Sequence, residues 1–521
     1  MNEQPRQKLR EIVTRHGHAV VEDARRCEGL LRDHSGQHRR EVSVLVSALE
    51  ERVPQDLLAP AAAAAPRTVL LKRLARRLSD NRAISESVAA WSVNSWALAL
   101  GLLSGDELRN LEETVPATAA AAGVAGGGDT DAGRDVTRSG DATARTPPGK
   151  SPAKAPADAG SVVVSASGDG DYTSITEALA NVEPGGRVLV RPGVYEEGIV
   201  LDKRVNIVGD GPRDEVVVTG AGAGCLKSSA EGARVAGLTL RGIAGGGAPS
   251  FAVDVTRGEL VLEDCDISSD TLSCVAVHGP EAAPVFKRCR VHDGADSGLY
   301  FFDGAGGTVE DCEVYGNANV GVAVTGGARA VVRRSKVYGG ANAGVVVWQD
   351  ADGLLEECEV YGNRLANIGV SDGARLTARA CHVHEGENPG VFVHREGEAV
   401  LEDCELYGHR EAEAAVTTRG RLFLNVCRVH GGNASGVFAS EGGQALLRGC
   451  EVRDNAASGA SVGAGSVLAV VESSVYDNAR FAVEAASGAR VRVEDSDLTG
   501  NGLGAWGVED GAQVESERNR D

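Results

Sequence analysis

Residues 355–404 read LEECEVYGNRLANIGVSDGARLTARACHVHEGENPGVFVHREGEAVLEDC, a stretch in which cysteine recurs every 23 residues. The same position continues in both directions as a series of cysteines and serines. Its members, separated by one step of 24 residues and then nine of 23, are Cys265, Cys289, Cys312, Ser335, Cys358, Cys381, Cys404, Cys427, Cys450, Ser473 and Ser496. A fixed period of this length is the signature of a solenoid whose repeats stack on one another. Short alternating runs such as LEECEV and GVFV predict three thin strands per coil, with coils spaced about 4.8 Å apart.

The fixed period also assigns the inner face of the coils. Cysteine and serine suit a narrow interior, where identical small side chains stack above one another. A zinc site would need cysteines in pairs two to four residues apart, and this series has none. We therefore expect free, buried thiols without metal or cofactor, in a protein of the reducing cytoplasm. A second series is expected at a turn that requires a positive φ angle, with glycine in alternate coils: Asn317, Asn363, Asn455, Asn478 and Asn501.

Composition changes along the chain and predicts three regions. Residues 1–115 carry apolar side chains at helical spacing, which predicts an α-helical domain. Residues 116–160 are rich in Ala, Gly and Pro and nearly free of large apolar side chains, which predicts a disordered linker. Residues 161–521 are then expected to form an all-β, right-handed parallel β-helix of about 14 coils. Within it, Ser174 and Glu177 predict a capping box for a short helix that covers the open end of the solenoid.

Parts of the chain resemble known families. The sequences GDYTSITEAL at 170–179 and PGVYEE at 192–197 resemble the opening of pectin-lyase-like β-helices, a superfamily that includes polysaccharide lyases, esterases and epimerases. The alternation of turns such as VYGN at 360–363 and VHEG at 383–386 resembles the carbohydrate-binding and sugar-hydrolase type β-helix of F-box-only substrate receptors. That resemblance covers about 265–505 and implies a recognition surface. Residues 1–115 resemble small helical adaptor modules of bacterial signalling and defence proteins, which implies a protein partner.

The alternation makes the true repeat two coils, or 46 residues. In every second coil the outward positions of one strand carry large side chains, and the coils between carry small ones. Near them, at the end of the same strands, lie carboxylates. The binding residues expected on this basis are Tyr300, Phe302, Trp348, Asp350, Phe392, His394, Glu396 and Phe438. An aromatic row with an acidic rim suits an extended basic peptide or a sugar chain. His292, His384 and His430 form another row, are too far apart to share a metal, and are expected in surface turns.

Charge limits the choice of ligand. Residues 161–521 contain 31 Lys and Arg against 53 Asp and Glu, so nucleic acid and polyuronates are disfavoured. No apolar run is long enough to span a membrane. Our first hypothesis is a non-catalytic scaffold whose β-helix recognises a protein or peptide and whose helical domain recruits a partner. The alternatives are a polysaccharide-binding or polysaccharide-modifying β-helix and a structural rod. The catalytic motifs of pectinesterases and alginate epimerases were not found, so no catalytic residue is predicted.

Overall fold

In a computed structural model the chain divides into two compact units, Met1–Ser151 and Pro152–Asp521. The structure describes residues 3–16, 27, 31, 39–58, 71, 74–78, 86–100, 102–103, 160–222, 224–245 and 249–521. Within these ranges no helix is long and apolar enough to cross a membrane. The linker expected at 116–160 lies outside the described residues except for residue 160, so its disorder and its boundaries stay predictions.

The first unit is helical in its described part. Its helices are Glu3–His16, Arg39–Glu50, Val53–Leu58 and Glu86–Ala99. They pack around fully buried side chains that include Leu9, Leu45 and Trp96. The Trp96 indole donates a hydrogen bond of 2.9 Å to the Leu45 carbonyl. Burial of its ring therefore leaves no unpaired donor, and it fixes the last helix against the second.

The second unit is a right-handed parallel β-helix, as the repeat predicts, and it has about 15 coils where about 14 were expected. Three parallel sheets run along it, and each strand pairs with the equivalent strand of the next coil. Sheet 1 has sixteen strands: Ser161–Val164, Arg187–Val190, Asn206–Gly209, Ala233–Ala236, Leu260–Glu263, Val285–Lys287, Gly306–Glu310, Arg329–Arg333, Asp352–Glu356, Arg375–Arg379, Glu398–Glu402, Arg421–Asn425, Gln444–Arg448, Val467–Val471, Arg490–Glu494 and Gln513–Glu517.

The other two sheets complete each coil. Sheet 2 has fourteen strands: Ile199–Leu201, Leu226–Ser228, Val253–Val255, Val275–His278, Leu299–Phe302, Val322–Val324, Val345–Val347, Ile368–Val370, Val391–Val393, Ala414–Val416, Val437–Ala439, Ala460–Val462, Phe481–Ala485 and Gly504–Val508. Sheet 3 has thirteen strands: Gly193–Glu196, Val216–Ala221, Thr239–Ile243, Asp266–Ser269, Arg290–Gly294, Glu313–Tyr315, Lys336–Tyr338, Glu359–Tyr361, His382–His384, Glu405–Tyr407, Arg428–His430, Glu451–Arg453 and Ser474–Tyr476.

A short helix, Ile175–Asn181, packs on the first coils and buries Ile175, Ala178 and Leu179. Ser174 is its N-cap, since its hydroxyl accepts the Glu177 amide at 3.3 Å. A second side chain, which the sequence pattern did not indicate, also caps this end of the helix. The Glu197 carboxylate accepts the amides of Ile175 and Thr176, each at 2.8 Å. A carboxylate from the following coil therefore ties the helix to the solenoid.

The cysteine and serine series lies inside the coils, as expected. All eleven cysteines are buried and free. Each small polar side chain also closes hydrogen bonds of the turn in which it lies. The Cys312 amide donates to the Ser335 hydroxyl at 3.0 Å, and that hydroxyl donates to the Arg333 carbonyl at 2.7 Å. An inward thiol or hydroxyl thus satisfies a buried amide that an apolar side chain would leave unpaired.

The asparagine series is buried, but its expected backbone conformation is wrong. Positive φ angles occur one residue earlier, as at Gly316 (64°) and Gly362 (62°), and not at Asn317 or Asn363. The asparagine side chains point inward instead, and the Asn317 amide oxygen accepts the Gly294 amide at 2.9 Å. Asparagine is selected here for its hydrogen bonds to the adjacent coil.

One coil departs from the asparagine series. At the equivalent position it carries His409, which is fully buried together with Glu413. The His409 Nδ1 atom and the Glu413 carboxylate form a short hydrogen bond, and Glu413 also accepts the His409 amide at 3.0 Å. On the other side, the Asn367 side chain lies 2.9 Å from His409 Nε2. The pair therefore stands inside the solenoid with its polar atoms satisfied.

Candidate functional site

The outer face of sheet 1 is a grid of paired charges. One column alternates in sign from coil to coil along Glu263, Lys287, Glu310, Arg333, Glu356, Arg379 and Glu402. Neighbours in this column form ion pairs, for example Arg333 with Glu356 at 2.6 Å and Arg379 with Glu402 at 2.8 Å. Ion pairs exposed in this way contribute little to stability, because solvent screens the attraction between the charges. This face is thus charged, hydrated and internally compensated.

The outer face of sheet 3 carries a column of stacked rings, here called the ring column. Its members are His292, Tyr315, Tyr338, Tyr361, His384, Tyr407 and His430, on successive coils. Adjacent ring centroids are 4.7 to 5.4 Å apart, and the planes are nearly parallel. Each ring therefore covers the faces of its neighbours and presents mainly its edge to water.

The three histidines of the ring column also bind carboxylates of the preceding coil. His292 Nε2 lies 2.8 Å from Asp266, and His430 Nε2 lies 3.1 Å from Glu405. The hydrogen bond to Asp266 raises the pKa of His292, although desolvation opposes this shift. These histidines are strand residues in a continuous stack, so their expected place in surface turns is wrong.

Sheet 2 has a different outer face, here called the aromatic face. Its first column is Ala276, Tyr300, Ala323, Val346, Gly369, Phe392, Ala415, Phe438 and Ser461. Its second column, two residues further along, is His278, Phe302, Thr325, Trp348, Ser371, His394, Thr417 and Ser440. Over these coils neither column contains Asp, Glu, Lys or Arg, whereas the first column continues to Asp254 before Ala276 and to Glu484 after Ser461. Sheet 2 is thus the face of the described solenoid on which charge is absent over many successive coils.

The predicted aromatic residues all lie on this face. Tyr300 and Phe302 stack along one strand with centroids 4.5 Å apart, and Phe392 stacks on His394 at 4.7 Å. Phe438 is 39% exposed and has no ring partner among the described residues. Its neighbours in the column, Ala415 and Ser461, are small. The coils next to Trp348, Phe392 and Phe438 carry small side chains at the same positions, so these rings are not covered by a ring of the next coil.

The predicted acidic rim is only partly available. Asp350 and Glu396 are exposed and lie in left-handed turns, with φ angles of 57° and 64°, that connect sheet 2 to sheet 1. Glu396 pairs with Arg419 at 2.7 Å, so its charge is compensated. His394 lies beside this rim, and burial lowers its pKa, with a further contribution from Arg395. A neutral imidazole is therefore favoured at this point of the aromatic face.

A groove of about 360 Å³ opens on the aromatic face around Phe438. The groove lies between the first column of the aromatic face and the turn that comes just before the sheet 2 strand in each coil. That turn carries bulky side chains at equivalent positions in earlier coils, namely Asp296, Asn319, Asn342, Leu365 and Asn388, and then Glu411, Ala434, Ala457 and Arg480. The two alanines leave the groove open over two coils, about 9.6 Å along the solenoid. Glu411 closes one end, and Arg480 with Glu484 closes the other.

Polar groups of the groove are few and ordered. The hydroxyls of Ser435 and Ser461 are 2.8 Å apart. Glu484 pairs with Arg480 at 2.9 Å and accepts the Ser458 hydroxyl at 2.8 Å. These groove residues were missed at the level of sequence. The signal that could have found them is the change from bulky residues to alanine in the turn series.

A smaller charged cluster lies at the first coils of sheet 2. His278 Nε2 lies 2.9 Å from Asp254, whose other oxygen lies 3.5 Å from Lys227. The His278 ring also stacks on Phe302 with centroids 4.8 Å apart. Among the described residues no group of three or more His, Cys, Asp or Glu could hold a metal ion.

Comparisons with known proteins identify the architecture. The family described as a right-handed β-helix region matches residues 226–364, 273–425 and 390–520. The periplasmic alginate epimerase AlgG is 12% identical with a TM-score of 0.42, and the match covers 64% of this chain and 76% of that one. The A-module of the Azotobacter vinelandii mannuronan C-5 epimerase AlgE6 is 13% identical with a TM-score of 0.37, covering 66% and 92%. The catalytic domain of a GH87 α-1,3-glucanase in complex with tetrasaccharides is 13% identical with a TM-score of 0.40, covering 71% and 70%.

The hypothesis of a non-catalytic scaffold for a protein or peptide is wrong. The similar structures are named as epimerases of alginate and mannuronan and as a glucanase, and not as scaffolds that bind proteins. At these identities the similarity is one of fold.

Proposed function

The chain belongs to the right-handed β-helix family, and from this fold we propose that it binds a polysaccharide without negative charge along the aromatic face. The observation that carries this proposal is the contrast among the three outer faces. Sheet 1 is covered with compensated charges, and the rings of sheet 3 cover one another. On sheet 2 the neighbours of Tyr300, Trp348, Phe392 and Phe438 in adjacent coils are alanine, glycine, serine or threonine.

Such a face suits a sugar chain for a simple chemical reason. A pyranose ring has one face lined by C–H bonds, which packs on an aromatic face, and a rim of hydroxyls, which needs polar partners. The rings of the aromatic face include Trp348, Phe392 and Phe438, and the polar partners are the serine and threonine hydroxyls between them. Large side chains recur every second coil, about 9.6 Å apart. A polymer lying along the solenoid can therefore contact several rings in series.

Charge selects among polysaccharides. Residues 161–521 carry an excess of carboxylates, with 53 Asp and Glu against 31 Lys and Arg. A polyuronate would approach this surface against electrostatic repulsion, and no cation site is present in the described residues to relieve it. Neutral chains meet no such barrier.

Binding of the full chain to a panel of neutral polysaccharides, measured by affinity electrophoresis and then by calorimetry with oligosaccharides, tests the proposal. Trp348→Ala and Phe438→Ala remove rings of the aromatic face. Tyr361→Ala is the matched control, because it removes a ring of similar size from the ring column. We expect at least tenfold weaker binding for the first two variants and unchanged binding for the control. Failure of the parent protein to bind any neutral polysaccharide would overturn the proposal, as would equal loss in Tyr361→Ala. Far-UV circular dichroism verifies that each variant is folded.

A further inference from the structure

We propose that the groove around Phe438 receives an amino-sugar unit whose protonated amine faces Glu411. This inference rests on the proposed function and names the class of sugar that this part of the aromatic face takes. The shape of the groove, the pairing of its charges and the net charge of residues 161–521 all favour such a unit.

The shape of the groove limits its occupant to a short segment. Its floor consists of Ala434, Ala457 and the side of Phe438, and both of its ends are closed by larger side chains. The volume of about 360 Å³ lies at the lower end of the range typical of small-molecule sites. One sugar ring packed on Phe438 fits over the two open coils, about 9.6 Å long, that lie between Glu411 and Arg480. The groove is thus a site for one unit of the chain, within a face that contacts many.

The carboxylates at the two ends of the groove differ in whether they are paired with a cation. At one end the Glu484 carboxylate is already bound by Arg480 and by the Ser458 hydroxyl. At the other end the exposed Glu411 side chain has no ion pair within the described part of the chain. An uncompensated carboxylate beside an apolar floor is a partner for a cation. Ammonium is the cation that an otherwise neutral sugar carries, when its amine is not acetylated.

The hydroxyls of Ser435 and Ser461 complete the recognition. They lie 2.8 Å apart between the two ends and form a polar spot beside Phe438. A sugar unit stacked on the ring can place its hydroxyls there while its amine contacts Glu411. The acidic surface of the solenoid increases the local concentration of a polycationic chain and raises its association rate at low salt. Long-range charge and local pairing therefore favour the same ligand.

The test compares three oligosaccharides with one backbone: β-1,4-linked hexamers of glucosamine, N-acetylglucosamine and glucose. Affinity for the full chain is measured by calorimetry at 50 mM and 300 mM salt. We expect the glucosamine hexamer to bind at least tenfold more tightly than the glucose hexamer at low salt. A charge-assisted hydrogen bond supports a preference of this size. The Glu411→Gln variant should lose the preference. The control Glu357→Gln, which removes an exposed carboxylate from a turn outside the groove, should keep it.

The outcomes separate this inference from the proposed function. If the three hexamers bind equally and Phe438→Ala weakens all of them, the aromatic face binds sugars but the amino-sugar inference is wrong. If the preference persists in Glu411→Gln, general surface charge causes it, and the groove is not the site. If no hexamer or polysaccharide binds, both proposals fail. Loss of preference in Glu411→Gln alone, with the affinity for the glucose hexamer unchanged, supports the inference.

Discussion

The buried pair of His409 and Glu413 tests how much the stability of one coil depends on the hydrogen bonds inside it. Both side chains are fully buried, and each is the main polar partner of the other. Two coils earlier, the equivalent positions carry Asn363 and Asn367, whose side chains form a hydrogen bond of 2.9 Å. We expect His409→Asn alone to destabilise the protein by about 3–5 kcal/mol, because it leaves a buried carboxylate without its ring partner. The double variant His409→Asn/Glu413→Asn reproduces the earlier coil and should recover most of that loss.

Hydrogen exchange followed by mass spectrometry is the assay of choice. Coils of a solenoid interact mainly with their neighbours, so the effect should be local. At about 1.4 kcal/mol per tenfold, the single variant should speed exchange of strands 391–393, 414–416 and 437–439 by more than 100-fold. Strands near Cys289 serve as the internal control and should not change. The reasoning is refuted if His409→Asn has no local effect, or if the double variant exchanges as fast as the single one.

Three further predictions concern stability. Val426 is 63% exposed and holds a left-handed φ of 56°, which is strained for a β-branched residue, so Val426→Gly should raise the free energy of unfolding by about 1 kcal/mol in urea titrations. The Cys381 sulfur accepts the Cys358 amide at 3.5 Å, so Cys381→Val should cost about 1–3 kcal/mol more than Cys381→Ser, despite its greater hydrophobicity. The hydrogen bond with Asp266 raises the pKa of His292, so stability from this contact should be complete below about pH 6.5 and decline as pH rises through the folded-state pKa. An NMR titration should give His292 a midpoint above 6.5, and a midpoint at or below that value would contradict the contact.

The solenoid could be predicted from the sequence because the repeat has a strict period. A repeat of 23 residues determines which positions stack, and small side chains at one of them identify the interior. It also placed Tyr300, Trp348 and Phe392 on one outer face, since strand residues alternate between the two sides. Whether these residues bind a ligand stays a prediction.

The other features of the structure depend on contacts that the 23-residue repeat alone does not predict. Tyr361 and its neighbours in the ring column stand three residues after the cysteine series, but only the register shows that their faces are covered. The left-handed residue of the asparagine turn was assigned one position too late, because asparagine is also suited to a buried hydrogen bond. The groove arises from two alanines in the turn before sheet 2, and its depth depends on the larger side chains at its ends. The ion pair between Glu396 and Arg419 could not be predicted from the sequence, because both side chains are exposed and each can adopt many rotamers.

Hydroxyl-radical footprinting with a bound neutral oligosaccharide tests the central claim most directly, because it reports ring by ring which face is covered. We expect Trp348, Phe392 and Phe438 to be protected on binding while Tyr361 and Tyr407 of the ring column keep their labelling rates. Protection of the ring column, with unchanged labelling of the aromatic face, would show that the sugar lies on sheet 3 and would contradict the account.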